Sequence, residues 1–180
     1  PFLGASHGYA LFCTTIGRCD WLKVNDLPDV GTAGRGKNIQ NLVHLQPGEK
    51  VTAFVAIGKT FDEDKFVVLV TKNGVIKKSA LTEFSNPRSS GIIAIGVEKG
   101  DELIATALTD GKKHIFLGSH EGMSILFEES DVRAMGRQAY GVNAMDLDKG
   151  DYLIGMETVD WTDGADASVA GLILTVTEKG

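Results

Sequence analysis

The sequence contains three copies of one pattern. "ALFCTTIGRCDWLK" from Ala10, "FVVLVTKNGVIKKS" from Phe66 and "IFLGSHEGMSILFE" from Ile115 each hold an apolar run, a turn that ends in glycine, and a second strand-like run. A fourth copy, "LILTVTEKG", begins at Leu172. Repeats of about 50 residues restrict the chain to an array of small units, because one such unit cannot bury its apolar face alone.

Two further landmarks recur in each copy. One is a glycine followed by an acidic residue and a strand-like run; these turns are Gly48-Glu49, Gly100-Asp101 and Gly150-Asp151. The other is a loop that carries an arginine; these residues are Arg35, Arg88 and Arg137. Each repeat therefore holds roughly four short strands, and no stretch shows long helical periodicity.

This organisation predicts an all-β chain, a propeller-like array of four-stranded blades. The repeats are expected at about 10–65, 66–114 and 115–171, with the start of a further repeat at 172–180, so that about three blades are present. The Trp-Asp dipeptide and the glycine doublet of two common propeller repeats do not recur, so neither of those repeat families fits.

The hairpin turns lead to a prediction about the two cysteines. Asn73-Gly74 is typical of a two-residue type I′ turn, and Ile16-Gly17 occupies the same place in the first copy. With a two-residue turn at Ile16-Gly17, Cys13 and Cys19 would point to opposite faces of the hairpin, because side chains alternate along a strand. We therefore predict reduced thiols, as in a cytosolic protein.

The stretch "GTAGRGKN" (31–38) differs by one residue from a phosphate-binding P-loop, since Asn38 stands where the hydroxyl residue is needed. A P-loop also requires a preceding buried strand and a following helix, and Pro47 leaves too little room for that helix. We interpret this stretch as the arginine loop of the first repeat.

Nothing in the sequence indicates a cofactor, a metal site or catalytic residues. The four histidines are scattered, and the acidic groups at 62–64, 128–131 and 146–148 lack the spacing of a calcium loop, so we expect solvated turns there. No apolar run approaches the roughly 20 residues that cross a membrane, so no membrane partner is expected.

Longer segments of the chain resemble a known family, the C-terminal DNA-wrapping domain of bacterial DNA gyrase A. The resemblance rests on "KKSALTEFSNPRSSGIIAI" and "SDVRAMGRQAYGV" at their observed separation, and it extends over the whole chain. It implies a six-bladed β-pinwheel whose blades exchange strands and whose rim binds and bends DNA. It also implies a bacterial, cytoplasmic, chromosome-associated protein.

Further expectations follow from the resemblance. The parent would be an ATP-hydrolysing type II topoisomerase that introduces negative supercoils, with gyrase B and a second copy of gyrase A as its partners. This chain would be a fragment of about half the domain, with no catalytic activity in isolation, and it lacks the basic box of the family's first blade. Its cut ends would favour self-association, since unpaired strand edges invite pairing with another chain.

The basic residues of the hairpins and arginine loops are the predicted contacts to double-stranded DNA. Residues 1–97 carry a net charge of +3, whereas residues 98–180 carry −9, so a basic face fits the first half better. The predicted contacts of repeats one and two are Arg18, Lys23, Arg35, Lys37, Lys72, Lys77, Lys78 and Arg88. Repeat three adds Arg133 and Arg137, and we expect it to bind more weakly because Ser124, Leu126 and Glu128 lie near its hairpin positions.

Two alternatives remain open. The first is the corresponding C-terminal domain of the related topoisomerase IV, although "NPRSSGIIAI" favours gyrase. The second is a β-propeller scaffold that binds protein and has no role with DNA, for which the net charge of −6 is suitable. The salt dependence of DNA binding distinguishes this scaffold from both topoisomerase domains, because phosphate contacts weaken steeply with salt.

Overall fold

The computed structural model describes residues 8–28, 36, 38–86, 88 and 90–160. Within these ranges the chain forms eleven strands and four short 3-10 helices, and no α-helix occurs there. The strands are β1 (Tyr9–Thr14), β2 (Arg18–Lys23), β3 (Val51–Ile57), β4 (Phe66–Thr71), β5 (Val75–Ala80), β6 (Ile92–Ile93), β7 (Leu103–Thr109), β8 (His114–Ser119), β9 (Ser124–Glu128), β10 (Val142–Asn143) and β11 (Leu153–Val159). The 3-10 helices are Val24–Asp26, Ile39–Asn41, Leu81–Phe84 and Glu129–Asp131. None of these helices has the length and apolarity that a membrane crossing requires.

The strands form three antiparallel sheets, and neighbouring repeats exchange strands. The first sheet has the order β3-β1-β2-β6, the second β10-β5-β4-β7 and the third β11-β8-β9. The short strand β6 belongs to repeat two but closes the sheet of repeat one, and β10 of repeat three closes the sheet of repeat two. The predicted all-β, propeller-like array is therefore confirmed, including the exchange that the resemblance implied.

The core lies between successive sheets, and β4 shows why. Val67 and Leu69 pack in the cluster between the first and second sheets, whereas Val68 and Val70 pack in the cluster between the second and third. Side chains of a strand alternate between faces, so a sheet covered on both sides needs a continuous apolar run. The sequence "FVVLV" meets that requirement, and all residues from Val67 to Val70 are fully buried.

Two glycines allow the exchanged strands to approach the preceding sheet. Gly91 comes just before β6, and a Cβ there would lie 2.6 Å from Oδ1 of Asp20. Gly141 comes just before β10, and a Cβ there would lie 2.5 Å from the carbonyl oxygen of Ile76. Both glycines have positive φ, which side chains with a Cβ rarely adopt. The glycines that follow Arg88 and Arg137 therefore reflect the docking of the exchanged strands.

The three hairpins share a turn that differs from the predicted one. Each has a three-residue loop in which the amide of the glycine donates a hydrogen bond to the carbonyl of the residue three positions earlier. In the second hairpin, Gly74 donates to Thr71 at 3.1 Å. No residue other than glycine has positive φ in the described ranges, so Asn73 does not adopt the type I′ conformation. This is a type I turn followed by a glycine bulge, which adds one residue to the loop.

The extra loop residue also overturns the prediction about the cysteines. Cys13 and Cys19 lie directly opposite each other in the β1–β2 pair, with their Cα atoms 4.2 Å apart. Directly opposed residues of an antiparallel pair share one face of the sheet. The two residues form a disulfide in the core between the first and second sheets, so the prediction of reduced thiols is wrong.

Candidate nucleic-acid interface

Three arginines from three different repeats line one cleft. Arg18 comes from strand β2, Arg88 from the arginine loop of repeat two and Arg137 from the arginine loop of repeat three. The cleft has a volume of about 230 Å³. Its remaining lining residues are Ser90, Gly91, Ile92, Ile93 and Gln138. We refer to it as the arginine cleft.

The strand exchange brings these arginines together. Strand β6 pairs with β2 so that Ile93 lies opposite Arg18, and Arg88 therefore precedes the strand that forms one edge of the first sheet. Beyond β6, the amide of Gly96 donates to the carbonyl of Ala139 at 3.3 Å, and this bond attaches the loop of Arg137 to the segment that follows β6. The cleft therefore exists only because each repeat extends onto its predecessor.

The charge of Arg18 is compensated by neighbouring carboxylates. Its guanidinium donates to Asp20 at 3.1 Å and to the carbonyl of His44 at 3.0 Å, and it lies 3.6 Å from Glu49. Burial raises the pKa of Asp20 above its ordinary value, and the charge of Arg18 counteracts that shift. Arg18 therefore forms the internal wall of the cleft and carries little free charge.

Arg88 and Arg137 carry the uncompensated charge of the cleft. Arg88 is exposed and Arg137 is half-buried, and neither forms an ion pair with any residue in the described part of the chain. The Nε–H of Arg137 is buried, and no described residue accepts a hydrogen bond from it. Two guanidinium groups beside one cleft, without an ion pair among the described residues, are suited to binding an anion, above all a phosphate, which accepts several hydrogen bonds from arginine.

Lys77 and Lys78 lie inside the protein, away from the exposed surface that the sequence predicts for them. Lys77 has 0 % of its surface exposed and Lys78 has 6 %. The amine of Lys77 donates to the carbonyls of Ala94, at 2.6 Å, and of Arg137. The amine of Lys78 donates to the carbonyl of Glu129 at 2.8 Å. Their burial argues against direct contact with DNA, because neither amine can reach an external phosphate.

The burial of these lysines could be predicted in part from the sequence. Their strand, "VIKKSA", pairs with the fully apolar strand β4, in a sheet that neighbours cover on both faces. Lys77 therefore faces the first sheet, and Lys78 faces the third. A basic strand paired with a continuous apolar run was the available signal for this burial.

Three of the remaining predicted contacts, Lys72, Lys23 and Arg133, are described by the structure and do not line the arginine cleft. The amine of Lys72 is 4.6 Å from the centre of the Tyr152 ring, next to a hairpin turn. Lys23 is exposed at the far end of β2, five residues and therefore roughly 16 Å from Arg18. Arg133 is exposed next to Ala134, which bridges to Lys78. Arg35 and Lys37 lie outside the described residues.

The acidic residues stabilise the fold more than the sequence indicates. The sequence predicts a solvated turn for Glu129, but this residue is fully buried, and it accepts a hydrogen bond from Thr109 at 2.6 Å. Asp101 accepts from the amide of Asn73 at 2.9 Å, and Asp151 accepts from the amide of Glu121 at 3.0 Å. The acidic residue of a Gly-acidic turn thus fixes the neighbouring hairpin turn.

A hydrogen bond from Ser119 contributes most to lowering the pKa of Asp151.

The structure offers no support for a P-loop or a metal centre in its described part. The side chain of Asn38 accepts a hydrogen bond from the amide of Gln40 at 3.0 Å and caps the three-residue helix Ile39–Asn41. This helix is far shorter than the helix of a P-loop. Within the described ranges, no group of three or more His, Cys, Asp or Glu side chains is arranged to hold a metal ion.

The chain is similar to curated DNA gyrase A proteins. It is 46 % identical to DNA gyrase A of Haemophilus influenzae over 142 residues, which is 79 % of this chain and 16 % of that protein. It is 39 % identical to DNA gyrase A of Salmonella typhimurium over 175 residues, which is 97 % of this chain and 19 % of that protein. The chain thus spans about a fifth, or less, of the length of these relatives.

Two solved structures share the fold. The C-terminal domain of DNA topoisomerase IV superposes with a TM-score of 0.79 and 29 % identity, over 88 % of this chain and 49 % of that one. The DNA gyrase A C-terminal domain superposes with a TM-score of 0.71 and 22 % identity, over 86 % of this chain and 49 % of that one, which shows the fold alone.

A family model matches the chain in three segments, which correspond to the three sheets. The segments are residues 8–57, 65–110 and 113–160. Each contains the hairpin and the Gly-acidic strand of one repeat, in the order that the structure shows. The model is described as the DNA gyrase C-terminal domain, beta-propeller, and this chain belongs to that family.

Proposed function

We propose that this chain binds double-stranded DNA without sequence specificity and bends it, in support of ATP-dependent negative supercoiling by DNA gyrase, a type II topoisomerase. The observation that carries the proposal is the arginine cleft. Arg88 and Arg137 come from successive repeats and line the same cleft, and neither forms an ion pair within the described part of the chain. A rim that repeats such sites offers a row of contacts to a polyanion.

Phosphate contact explains how such a surface bends DNA. Contacts to the backbone position a duplex and carry no sequence information. Bending a site of 20–30 base pairs costs on the order of 1–6 kcal/mol, because the persistence length of DNA is about 150 base pairs. Several separate arginine contacts along a curved rim together offset that cost.

The parent protein supplies the remaining parts of this function. Strand passage and ATP hydrolysis belong to other regions of the enzyme, so this chain needs neither catalytic residues nor a cofactor. The proposed partners are gyrase B and a second copy of gyrase A, and the proposed location is the bacterial cytoplasm, on the chromosome. The curated relatives favour gyrase over topoisomerase IV, since they are named as gyrase A proteins.

Duplex binding by the 180-residue chain tests the proposal. Affinity is measured against salt for the wild type, for Arg88→Ala and Arg137→Ala, and for the controls Lys99→Ala and Lys149→Ala, which remove exposed lysines of Gly-acidic turns. We expect each arginine variant to lose at least about threefold in affinity and to reduce the salt slope by about 1, the value for one phosphate contact. The lysine controls should change little.

Two results would contradict the proposal. Equal losses from arginine and lysine variants would mean that only net charge matters and that the cleft is not a site. The absence of DNA binding even at low salt would favour the alternative of a protein-binding scaffold.

A further inference from the structure

Lys77 is the only described lysine whose amine joins two other parts of the chain at the edge of the arginine cleft. Its Nζ donates to the carbonyl of Ala94, which follows the exchanged strand β6, and to the carbonyl of Arg137. Lys77 itself belongs to β5, in the second sheet. The side chain therefore bridges the strand that closes sheet one and the arginine loop of repeat three.

The amine is placed there at an energetic cost. Burying a charged group in an apolar core is unfavourable unless it finds hydrogen-bond partners. Burial, together with the nearby charge of Arg137, lowers the pKa of Lys77 from 10.5 to about 8, while the charge of Glu83 opposes that shift. The equivalent position of the third hairpin is Ile125, so the repeat itself does not require a lysine. The lysine at this position is explained by the two backbone carbonyls, of Ala94 and Arg137, that accept hydrogen bonds from its amine.

The amine holds the backbone of Arg137. Three other backbone hydrogen bonds anchor the described loop at residues 133–139: Met135 donates to the carbonyl of Lys78 at 2.8 Å, Ala139 to that of Gly136 at 3.1 Å, and Gly96 to that of Ala139 at 3.3 Å. None of these three involves the backbone of Arg137. Without the Lys77 bond, the carbonyl of Arg137 would lose its described partner, and its guanidinium would lose a fixed position beside Arg88. Binding by a preorganised side chain is tighter, because less conformational entropy is lost on binding.

We propose that Lys77 is a buried positioning residue, which holds Arg137 in the arginine cleft and thereby sets how tightly the cleft binds a phosphate of the DNA backbone. The proposal rests on the proposed function, because it names a residue that controls the same site. Lys77 makes no contact with DNA itself.

Proton linkage gives this role a second signature. A phosphate beside Arg137 offsets the positive charge that disfavours protonation of Lys77, so DNA binding should raise the pKa of its amine. Binding is then stronger when Lys77 is protonated, and affinity should fall as the pH rises from about 7 to about 9. The charged groups that face Lys77 are Arg137, which lowers the pKa of its amine, and Glu83, which raises it.

A double-mutant cycle tests the proposal. Duplex affinity and its salt slope are measured for the wild type, Lys77→Met, Arg137→Ala and the double variant, with Lys78→Met as the matched control. Lys78 is the adjacent buried lysine, and its amine contacts Glu129, away from the cleft. We expect Lys77→Met to weaken binding by about the same factor as Arg137→Ala, and the double variant to bind no more weakly than either single variant.

The control and the pH profile separate positioning from simple stabilisation. Lys78→Met should lower the melting temperature yet leave affinity unchanged well below that temperature. Wild-type affinity should fall by at least about twofold between about pH 7 and about pH 9, and Lys77→Met should show no such fall. If Lys77→Met does not fold, Lys77→Ile, which has no donor and is the residue type at the equivalent position of the third hairpin, takes its place in the cycle. The wild-type pH profile needs no variant.

The outcomes distinguish this inference from the proposed function. If the wild type binds DNA and Arg137→Ala weakens it, but Lys77→Met has no effect, the positioning role is wrong and DNA binding stands. Independent, additive losses from Lys77 and Arg137, or a wild-type affinity that does not change with pH, also overturn it. Absence of wild-type binding removes both proposals.

Discussion

The second and third sheets place equivalent hairpin strands in opposite environments. In the second sheet, β5 is covered by the exchanged strand β10, and its central residues are buried although they include Lys77 and Lys78. In the third sheet, β9 pairs with β8 alone in the described part of the chain. Its apolar residues Ile125 and Leu126 are 37 % and 43 % exposed. Polar residues are inside and apolar ones are outside at matched positions.

The difference shows that the next repeat, more than residue type, decides what is buried in this fold. A strand that receives an exchanged neighbour also receives the loop before it, and both cover the strand. Lysines are tolerated in β5 because those neighbours offer backbone carbonyls to their amines. The apolar residues of β9 receive no such strand within the described part of the chain. Three predictions test this interpretation.

The largest effect is expected from truncating Lys78. The amine of Lys78 lies 3.9 Å from the carboxylate of Glu129. Lys78→Ala should lower the free energy of unfolding by about 3–5 kcal/mol, because Glu129 would remain buried without its cationic partner. Leu126→Ala, at the matched position of β9, should cost less than about 1 kcal/mol. Urea unfolding measures both. Similar costs for the two variants would mean that β9 is as well packed as β5.

A smaller effect is expected from the glycine that admits β10. Gly141→Ala would bring a Cβ to 2.5 Å from the carbonyl oxygen of Ile76, and it also requires positive φ. We expect a loss of roughly 2–4 kcal/mol in unfolding free energy. Gly100→Ala is the control, since that glycine has positive φ but no atom within 4 Å of the added Cβ. It should cost only about 1 kcal/mol. If the two variants unfolded alike, close docking of β10 would be refuted.

The smallest effect is expected at β9, whose second edge has no partner strand in the described part of the chain. Strand edges with exposed apolar residues pair with other chains, so we expect weak, concentration-dependent self-association of the 180-residue chain. The double variant Ile125→Lys, Leu126→Lys should reduce it. Gln40→Lys, Asn41→Lys adds the same charge at two exposed positions elsewhere and should not. Light scattering over a concentration series measures the effect, and a wild type that stays monomeric throughout would exclude association through this edge.

Several features of the fold were predictable from local sequence. The repeat, the three hairpin glycines and the Gly-acidic turns correspond to the observed order of strands. The boundaries of the repeats stay predictions, because the exchange of β6 and β10 leaves no simple division between one unit and the next. In the candidate site, Arg88 and Arg137 are predictable as residues of equivalent loops, whereas their neighbours Ser90 and Gln138 were missed although they flank the same arginines.

Local sequence determined the all-β architecture and the position of each turn, because glycine conformation and alternation of apolar residues act over a few neighbouring residues. Tertiary structure alone decided which strand closes each sheet, that Cys13 faces Cys19, that Lys77 and Lys78 are buried, and that three arginines share one cleft. These outcomes depend on a one-residue difference in loop length and on contacts between residues 60 or more positions apart in the sequence, such as Lys77 with Arg137 and Arg18 with Ile93. Hairpin pattern alone does not encode them, since the exchanged strand comes from the next repeat.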